Sequence, residues 1–510
     1  MLAKVLSCAV QGVEGFPVQV EVDLALGLPA FATVGLPEGA VRESKERVRS
    51  AIRNCGYEFP ARRITVNLAP ASVKKEGTGY DLPMALGILA AAEMVDEASL
   101  LSTAVVGELS LDGDVRPVAG VLPMVMAARA AGVKRFIVPE ANSGEAGVVK
   151  DIEVIGVRRL DETVELLSGR LMKDPVRTDI ESLFREGARY DVDFSEVRGQ
   201  EHVKRSLVIA AAGGHNILLS GVPGTGKTMM ARRLPTILPR LTLEEALETT
   251  RIYSCAGLLP VDKPLLATRP FRAPHHTISD AGLIGGGHIP RPGEVSLAHN
   301  GVLFLDELPE FRKNVLEVMR QPMEDGTVVI SRAATSLSFP ARFMLVAAMN
   351  PCPCGYLGDR ARECSCTPTQ VQRYQSRLSG PLLDRIDLHV EVPPVPVSKL
   401  HEAAPGADSA TMRDAVQRAR TRQLERYREG EGVFCNAMMR SHHLKEFCLL
   451  DREGREILQH TIDHLGLSAR AYNRILKIAR TICDLEGAER INTDHLTEAI
   501  QYRRPASANL

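Results

Sequence analysis

The sequence predicts a multidomain α/β protein: an α+β domain, then a core with a parallel sheet, then an all-helical region. Three observations lead to this fold class. Residues 1–170 alternate strand and helix patterns, residues 191–395 hold apolar strands that end in glycine or polar residues, and residues 411–503 are helical in pattern throughout. A chain of 510 residues is long enough for several hydrophobic cores.

Charge and composition exclude several classes of function. The chain has 62 Lys and Arg against 63 Asp and Glu, a formal net charge of -1. It is therefore not a polybasic nucleic-acid binder, and any DNA contact has to come from a local patch. Trp is absent and aromatic residues make up 4% of the chain, so platforms for stacking bases are scarce.

The sequence also indicates the compartment. The first stretch of the chain lacks the charged start, apolar run and cleavage site of a secretory signal. No apolar run reaches the ~18 residues that a membrane span needs. Ten cysteines in a chain of this length are too few for a disulfide scaffold. We therefore expect a cytoplasmic protein with no membrane partner.

Breaks in the pattern predict the domain boundaries. Residues 171–190 are polar, charged and weakly patterned, as a linker is. The run PPVPV at Pro393–Val397 interrupts secondary structure. We expect an N-terminal domain at 1–170, a core with a parallel sheet at 191–395 and a helical lid at 396–510.

A complete phosphate-binding motif opens the central segment. The run GVPGTGKT matches G-x-x-x-x-G-K-[ST], follows the apolar strand Asn216–Ser220 and precedes a helical stretch. Its glycines let backbone N–H groups surround phosphate oxygens, its lysine can reach the β- and γ-phosphates, and its threonine hydroxyl can bind Mg²⁺. The alternative is a glycine-rich turn that carries a lysine by chance. The predicted ATP-binding residues are Gly221, Val222, Pro223, Gly224, Thr225, Gly226, Lys227 and Thr228.

Two further apolar strands end in side chains suited to ATP hydrolysis. The strand VLFL is followed by Asp306, expected to hold Mg²⁺ together with Thr228, and by Glu307, expected to orient or deprotonate the attacking water. A third strand, FMLVAAM, ends at Asn350, which could hydrogen-bond the water or the γ-phosphate. The alternative for Asn350 is a turn residue before Pro351.

This order of motifs resembles the AAA+ ATPases over about 191–395, with the lid at 411–503. The resemblance implies that Arg385 is an arginine finger for the neighbouring subunit. It also implies that Arg470 in the lid is the second sensor, with Arg474 as the alternative. For Arg385 the competing interpretation is a salt bridge within residues 384–387. For the two lid arginines it is a solvated basic helix face.

Two insertions distinguish this ATPase from others. The stretches 270–291 and 324–339 resemble insertions of the magnesium-chelatase and MCM-helicase branch, and the second reads as a β-hairpin. In a ring such loops would face the pore. His288, Arg291 and Arg332 are the candidate DNA contacts, and the alternative is that they are solvated loop charges.

Four cysteines follow Asn350 closely. Cys352, Cys354, Cys364 and Cys366 lie within fifteen residues and could form a tetrahedral Zn²⁺ site that braces a catalytic loop. The Cys-x-Cys spacing is less typical of zinc than Cys-x-x-Cys, and reduced thiols are the alternative.

The N-terminal domain resembles the proteolytic domain of Lon over residues 103–140 and 74–81. Lon proteases use a Ser–Lys dyad, and the matching positions here are Gly79 and Leu122. Neither residue can serve as nucleophile or base. The resemblance therefore implies a Lon-like fold without peptidase activity.

Taken together, the chain resembles the YifB/ComM family of magnesium-chelatase-like AAA+ proteins over essentially its whole length. The resemblance implies ATP and Mg²⁺ as cofactors and a homo-oligomer, a hexameric ring that acts on single-stranded or branched DNA. It further implies a role in branch migration during recombination and natural transformation. The alternative is an ATPase that remodels a protein client or assists metal insertion, as magnesium-chelatase subunits do.

Overall fold

The computed structural model forms two compact units, Met1–Gly187 with Leu243–Ala267, and Ala188–Thr242 with Thr268–Leu510. The residues that the structure describes are 1–37, 39–75, 77–287, 290–332, 335–359, 361–395, 406–427, 432–465 and 468–503.

A mixed seven-stranded sheet, in the order β3-β4-β2-β1-β5-β8-β9, forms the first unit. Strand β2 pairs antiparallel with both β1 and β4, and β3 pairs parallel with β4. On the other side of β1, the strands β5, β8 and β9 follow in parallel. The strands of this unit, including the short ribbon β6–β7, are β1 Leu2–Gln11, β2 Glu14–Ala25, β3 Ala30–Val34, β4 Arg63–Ala69, β5 Thr103–Val105, β6 Glu108–Leu109, β7 Val115–Arg116, β8 Arg135–Pro139 and β9 Glu153–Val157.

Helices cover this sheet. Every residue of the helix Asp81–Ala91 is buried, as expected of a helix that is apolar on nearly all sides. The described helices of the unit are Gly39–Asn54, Asp81–Ala91, Glu97–Leu101, Val121–Ala130, Ser143–Ala146, Leu160–Leu167, Ile180–Gly187 and, from its second segment, Leu243–Ala256.

The segment Leu243–Ala267 lies inside the predicted core 191–395 but packs with the N-terminal unit. Its Ser254 hydroxyl donates a hydrogen bond to the Glu145 carboxylate, which also accepts one from the Leu122 amide at 2.9 Å. Burial raises the pKa of Glu145, although these hydrogen bonds oppose the rise. The domain bounds predicted above stay predictions.

A parallel five-stranded sheet, in the order β11-β14-β17-β10-β18, forms the core of the second unit. Both faces of β14 and β17 are buried throughout, as expected of a parallel sheet covered by helices on both sides. The parallel sheet predicted from the sequence is therefore confirmed. Its strands are β10 Ile217–Ser220, β11 Phe271–Arg272, β14 Val302–Leu305, β17 Met344–Met349 and β18 Leu388–Glu391.

Two antiparallel ribbons project from this unit. One is β12 Gly285–Gly286 with β13 Arg291–Pro292, and the other is the hairpin β15 Thr327–Arg332 with β16 Thr335–Pro340. The hairpin predicted for the second insertion is thus confirmed. The helices before the C-terminal region are Glu201–Gly213, Lys227–Arg233, Asp280–Ile284, Glu294–Leu297, Lys313–Val318, Arg320–Asp325, Pro368–Gln375 and Gly380–Leu383.

The C-terminal region is helical, as predicted. Side chains cap several of its helices: Asp408 accepts from Thr411 N at 2.8 Å, and Asn492 accepts from His495 N at 2.9 Å. None of the described helices in the chain is long and apolar enough to cross a membrane. The helices of the region are Ser409–Arg426, Ser441–Phe447, Arg452–Leu465, Ala469–Glu486 and Thr493–Gln501.

Candidate active site

Strand order brings the three predicted motifs to one edge of the parallel sheet. β17 lies between β14 and β10, and all three run in the same direction. Their carboxyl ends therefore meet, and ligands of open parallel sheets bind at this edge. The phosphate loop follows β10, Asp306 follows β14 and Asn350 follows β17.

The phosphate loop turns sharply into the helix Lys227–Arg233. Gly226, directly before this helix, has a φ of 87°, which a residue with a Cβ rarely adopts. The Lys227 ammonium lies back across the loop and donates to the carbonyls of Gly221 at 2.7 Å and Val222 at 3.0 Å. The lysine is therefore held where a bound phosphate chain would lie.

Lys227 also joins the loop to the third motif. Its Nζ lies 3.3 Å from Oδ1 of Asn350, so the amide faces the phosphate-binding lysine. Burial lowers the pKa of Lys227, while the negative charge of Asp306 raises it. The structure thus brings the side chains of Lys227 and Asn350 together, and contact of Asn350 with a γ-phosphate or its attacking water stays a prediction.

The predicted magnesium ligands touch each other. Oγ1 of Thr228 donates to Oδ2 of Asp306 at 2.7 Å. Adjacent oxygens around an octahedral Mg²⁺ with bonds of 2.0–2.1 Å lie about 3 Å apart. A hydroxyl and a carboxylate at this separation fit two neighbouring positions of such a shell.

Glu307 has an unusual backbone conformation. Its φ of 52° and ψ of 47° are left-handed, which is uncommon for a residue other than Gly, Asn or Asp. Its amide donates to Oδ1 of Asp306 at 2.9 Å, and its side chain is about half exposed, at 53%. The turn thus separates the two carboxylates: Asp306 faces Thr228, and Glu307 extends toward solvent.

A histidine that the sequence did not single out lies beside Glu307. Nδ1 of His276 is 3.6 Å from Oε2 of Glu307. Its imidazole packs against His275 with ring centroids 4.1 Å apart and 34° between the ring planes, and it makes an edge-to-face contact with Phe311 at 6.4 Å. The only signal in the sequence is the pair His275–His276 in the first insertion, and nothing local connects it to a residue 31 positions away.

Arg385 is buried and paired within its own chain. It is 6% exposed, its guanidinium forms an ion pair with Glu324, and its Nη1 donates to the Pro381 carbonyl at 2.6 Å. The alternative to an arginine finger was a salt bridge between Arg385 and a carboxylate within residues 384–387. The partner of Arg385 is instead Glu324, which lies in the helix before the β15–β16 hairpin. None of the described contacts of Arg385 involves a residue of the phosphate loop.

The two candidate lid arginines differ in their surroundings. Arg470 is exposed. The pKa of Glu324 is lowered mainly by its hydrogen bond with Arg385, and the positive charge of Arg470 lowers it further. Arg474 forms an ion pair with the buried Asp387, whose carboxylate also lies 3.5 Å from Nδ1 of His215. Arg470 is thus near Arg385, whereas Arg474 joins the lid to the end of the core.

The four predicted metal-ligating cysteines converge. The Sγ atom of Cys352 lies 3.4 Å from that of Cys354 and 3.6 Å from that of Cys364, and the latter two are 3.5 Å apart. Sulfurs of a tetrahedral Zn²⁺ site with 2.3 Å bonds lie about 3.8 Å apart. All four Sγ atoms, including that of Cys366, are within 4.8 Å of one another, and no other described residues form a comparable group.

Backbone amides surround these sulfurs. The amide of Cys354 donates to Sγ of Cys366, and the amide of Cys366 to Sγ of Cys364, both at 3.4 Å. A hydrogen bond from the Tyr356 backbone leads the interactions that lower the pKa of Cys354 to about 5. A backbone hydrogen bond from Cys366 lowers the pKa of Cys364, but desolvation and hydrogen bonds with the neighbouring thiols raise it to about 12. Four sulfur donors this close together fit Zn²⁺, which binds cysteines as thiolates.

Of the three candidate DNA contacts, the structure describes the side chain of Arg291 alone. Arg291 is exposed in β13. The backbone of Arg332 ends β15, but its side chain lies outside the described part of the structure, as does His288 altogether.

In the N-terminal unit, Gly79 and Leu122 take part in backbone hydrogen bonding and core packing respectively. The carbonyl of Gly79 accepts from Gly107 N at 2.9 Å, and the Leu122 side chain is fully buried. Lys75 is also fully buried, and its ammonium donates to the carbonyl of Pro70.

Fold and site together define a class. A phosphate loop, an Asp-Glu strand and an Asn-ending strand on a parallel sheet, followed by a helical region, are the parts of a magnesium-chelatase-like AAA+ protein. Family models agree: residues 193–400 match "Magnesium chelatase, subunit ChlI", 406–503 match its C-terminal model and 20–142 match "Subunit ChlI of Mg-chelatase".

Individual relatives narrow the class. The chain is 46% identical to "Competence protein ComM" of Haemophilus influenzae, over 98% of this chain and 97% of the relative. It is also 46% identical to "Uncharacterized protein YifB" of Escherichia coli, over 97% of this chain and 96% of the relative. The "Magnesium-chelatase 38 kDa subunit" of Rhodobacter capsulatus is 26% identical over 61% of this chain and 87% of the relative. The chain belongs to the ComM/YifB family of magnesium-chelatase-like proteins.

Proposed function

We propose that this chain is an ATP-hydrolysing ring motor that acts on DNA in the cytoplasm, as a branch-migration helicase in recombination and natural transformation. The observation that carries the ATPase part is the joining of the three motifs at one sheet edge. Oγ1 of Thr228 lies 2.7 Å from Oδ2 of Asp306, and Nζ of Lys227 lies 3.3 Å from Oδ1 of Asn350. This arrangement holds the groups that bind and hydrolyse ATP within one small region.

Each residue has one task in this proposal. Lys227 and the loop amides bind the phosphates, and Thr228 with Asp306 holds the Mg²⁺. The bound ion neutralises charge that develops on the phosphate oxygens. Glu307 takes a proton from the attacking water, and Asn350 orients that water or the γ-phosphate.

The DNA part rests on the family. The full-length relative in Haemophilus influenzae is named a competence protein, which supports a role in competence and recombination. The net charge of -1 fits a ring that is positive only along its pore. In such a ring Arg291, Arg332 and His288 are the residues that contact phosphates.

The ring is proposed to be a hexamer. AAA+ proteins of the magnesium-chelatase type are usually oligomeric. Arg385 and Arg470 lie near the same carboxylate, Glu324. In the proposed ring, Arg385 acts on the nucleotide of the neighbouring subunit and Arg470 is the second sensor. The N-terminal unit is proposed to be Lon-like and without protease activity, because Gly79 and Leu122 offer neither nucleophile nor base.

We also propose that the cysteine cluster holds Zn²⁺. Three of its Sγ–Sγ distances, 3.4 to 3.6 Å, approach those of a tetrahedral site, and backbone amides support the thiolates. Metal analysis of the purified chain should give one zinc per chain. A value below about half a zinc per chain contradicts the site.

The test of the motor is the ATPase rate of the purified protein with and without single-stranded, forked and Holliday-type DNA. We expect stimulation by branched DNA and binding that weakens steeply with salt, because phosphate contacts release counterions. Lack of both stimulation and salt-dependent binding would contradict the motor while leaving the ATPase assignment intact.

A second function has one observation in its favour. The match to a magnesium-chelatase subunit supports an ATPase that remodels a protein client or assists metal insertion. ATPase activity that responds to a protein client and not to any DNA would favour this alternative.

A further inference from the structure

The cysteine cluster is attached to the nucleotide site at one end through the strand β17. Only Pro351 separates Cys352 from Asn350, whose Oδ1 lies 3.3 Å from Nζ of Lys227. The amide of Gly221, the first residue of the phosphate loop, donates to the carbonyl of Met349 at 3.2 Å. Any displacement of the first cysteine is therefore transmitted to the strand end that supports the phosphate loop.

The cluster also touches the phosphate loop directly. Gly355, next to the ligand Cys354, packs so closely on Pro223 that a Cβ on the glycine would lie 2.7 Å from Cγ of the proline. The same Cβ would lie 3.9 Å from Cγ of Asn350. The turn is fixed by the Gly355 amide, which donates to the Cys352 carbonyl at 3.0 Å. A metal-ligating loop thus supports the phosphate loop through backbone rather than through a flexible side chain.

We propose that metal binding at the cysteine cluster and nucleotide binding at the phosphate loop are thermodynamically coupled, through the contact of Gly355 with Pro223. Zinc holds the loop 352–366 in the conformation that supports the phosphate loop, so the metal-bound protein binds ATP more tightly. This inference rests on the proposed ATP and zinc sites and adds a regulatory link between them.

The physical reason is preorganisation. A phosphate loop binds phosphate oxygens through several backbone N–H groups. Its affinity for the nucleotide therefore depends on how far the loop is already ordered before the nucleotide binds. Four metal bonds within fifteen residues order the neighbouring loop beforehand. Coupling of this kind is reciprocal, so bound nucleotide has to strengthen zinc binding by the same factor.

The first experiment measures binding of a fluorescent, slowly hydrolysed ATP analogue with Mg²⁺ to the full-length protein. The zinc-loaded protein is compared with protein stripped by a chelator selective for zinc over magnesium. We expect the Kd of the analogue to rise at least about fivefold on stripping, the lower end of typical allosteric coupling. An unchanged Kd overturns the proposal.

Two glycines of the same loop provide a matched pair of variants. Gly355 and Gly358 both have positive φ, 87° and 80°, so alanine strains the backbone similarly at each. A Cβ on Gly358 meets nothing within 4 Å, whereas one on Gly355 meets Pro223. Gly358→Ala should keep the dependence of analogue affinity on zinc, and Gly355→Ala should lose it while retaining the metal. The same zinc dependence in both variants overturns the contact as the route.

A second readout guards against unfolding on zinc removal. The affinity for zinc is measured by equilibrium competition with a coloured chelator, with and without the ATP analogue. Bound nucleotide should raise the zinc affinity at least about fivefold. Equal zinc affinities overturn the coupling. Failure of the zinc-loaded protein to bind the analogue is a different result, because it contradicts the proposed ATP site itself.

Discussion

Glu307 and His276 face each other at the nucleotide site, with Oε2 of the carboxylate 3.6 Å from Nδ1 of the imidazole. The distance is just beyond a hydrogen bond, so a small movement of either side chain closes or opens the contact. Glu307 follows β14, whereas His276 belongs to the insertion after β11 that carries the β12–β13 ribbon. The pair therefore joins the proposed catalytic carboxylate to one of the distinctive insertions.

We expect His276→Ala to lower kcat for ATP about tenfold and to leave KM within about twofold, because His276 positions Glu307 without touching the nucleotide. His276→Gln, which retains a hydrogen-bond donor, should recover part of the loss. His275→Ala is the matched control, since that ring packs at a tilt against His276 but its Nδ1 lies 3.0 Å from Oγ1 of Thr277. Steady-state ATPase kinetics measure all three. Equal losses in both alanine variants would indicate general damage to the insertion.

Glu307→Gln should bind ATP with nearly normal affinity and lose turnover by at least about a hundredfold, because the amide cannot accept a proton from water. Nucleotide binding and single-turnover hydrolysis measure the two effects separately. Glu391→Gln is a suitable control, because Glu391 also ends a strand of the same sheet, β18, and is exposed. Retained turnover in Glu307→Gln would refute the assignment of the base.

Arg385 can be tested by mixing subunits. Lys227→Ala removes the phosphate-binding lysine but retains Arg385, and Arg385→Ala retains the lysine. If Arg385 acts on the nucleotide of a neighbouring subunit, each variant alone should be inactive and their mixture should recover a measurable fraction of the ATPase rate.

The control mixture combines Lys227→Ala with Glu307→Gln. Both substitutions affect the site within one subunit, so we expect no recovery. Absence of recovery with Arg385→Ala as well would favour a structural role, in which Arg385 anchors Glu324 below the β15–β16 hairpin.

The stability of the C-terminal region depends on a buried carboxylate. Asp484 is fully buried and accepts hydrogen bonds from Arg480 at 2.7 Å and from Asn436 and Arg426 at 2.9 Å. Asp484→Ala leaves the buried Arg480 and the largely buried Arg426 without a carboxylate partner, so we expect a loss of about 3–5 kcal/mol in the free energy of unfolding. Denaturant unfolding of the full-length protein measures the loss. Asp463→Ala, at an exposed aspartate, should change it by less than about 0.5 kcal/mol.

The pH dependence of this contribution has a definite sign. Burial alone raises the pKa of Asp484, but the hydrogen bonds and charge of Arg426 bring it below its ordinary value. Its stabilisation is therefore present above the unfolded pKa of about 3.9 and is lost as the pH falls through the lower folded pKa. Asp484→Ala should lose this part of the acid dependence, whereas an unchanged acid profile would contradict the depressed pKa.

Much of the second unit could be predicted because its signals are local. The phosphate loop, the strand before Asp306 and the strand before Asn350 are each recognisable within about ten residues, and the parallel sheet follows from them. The convergence of the four cysteines was also predictable, because only nine residues separate the two pairs. The packing of Leu243–Ala267 with the N-terminal unit was not predicted, since a helical pattern does not specify the surface that it meets.

The sequence by itself determined which residues belong to the proposed nucleotide site, because hydrogen bonding and turn geometry within a short contiguous run decide whether a phosphate loop or a buried strand can form. Only the tertiary structure decided which side chains adjust that site. His276 meets Glu307, Glu324 meets Arg385, and Gly355 supports Pro223 across separations of 31, 61 and 132 residues. Such pairs depend on strand order and on the paths of the loops, which are properties of the packed fold and of no single segment.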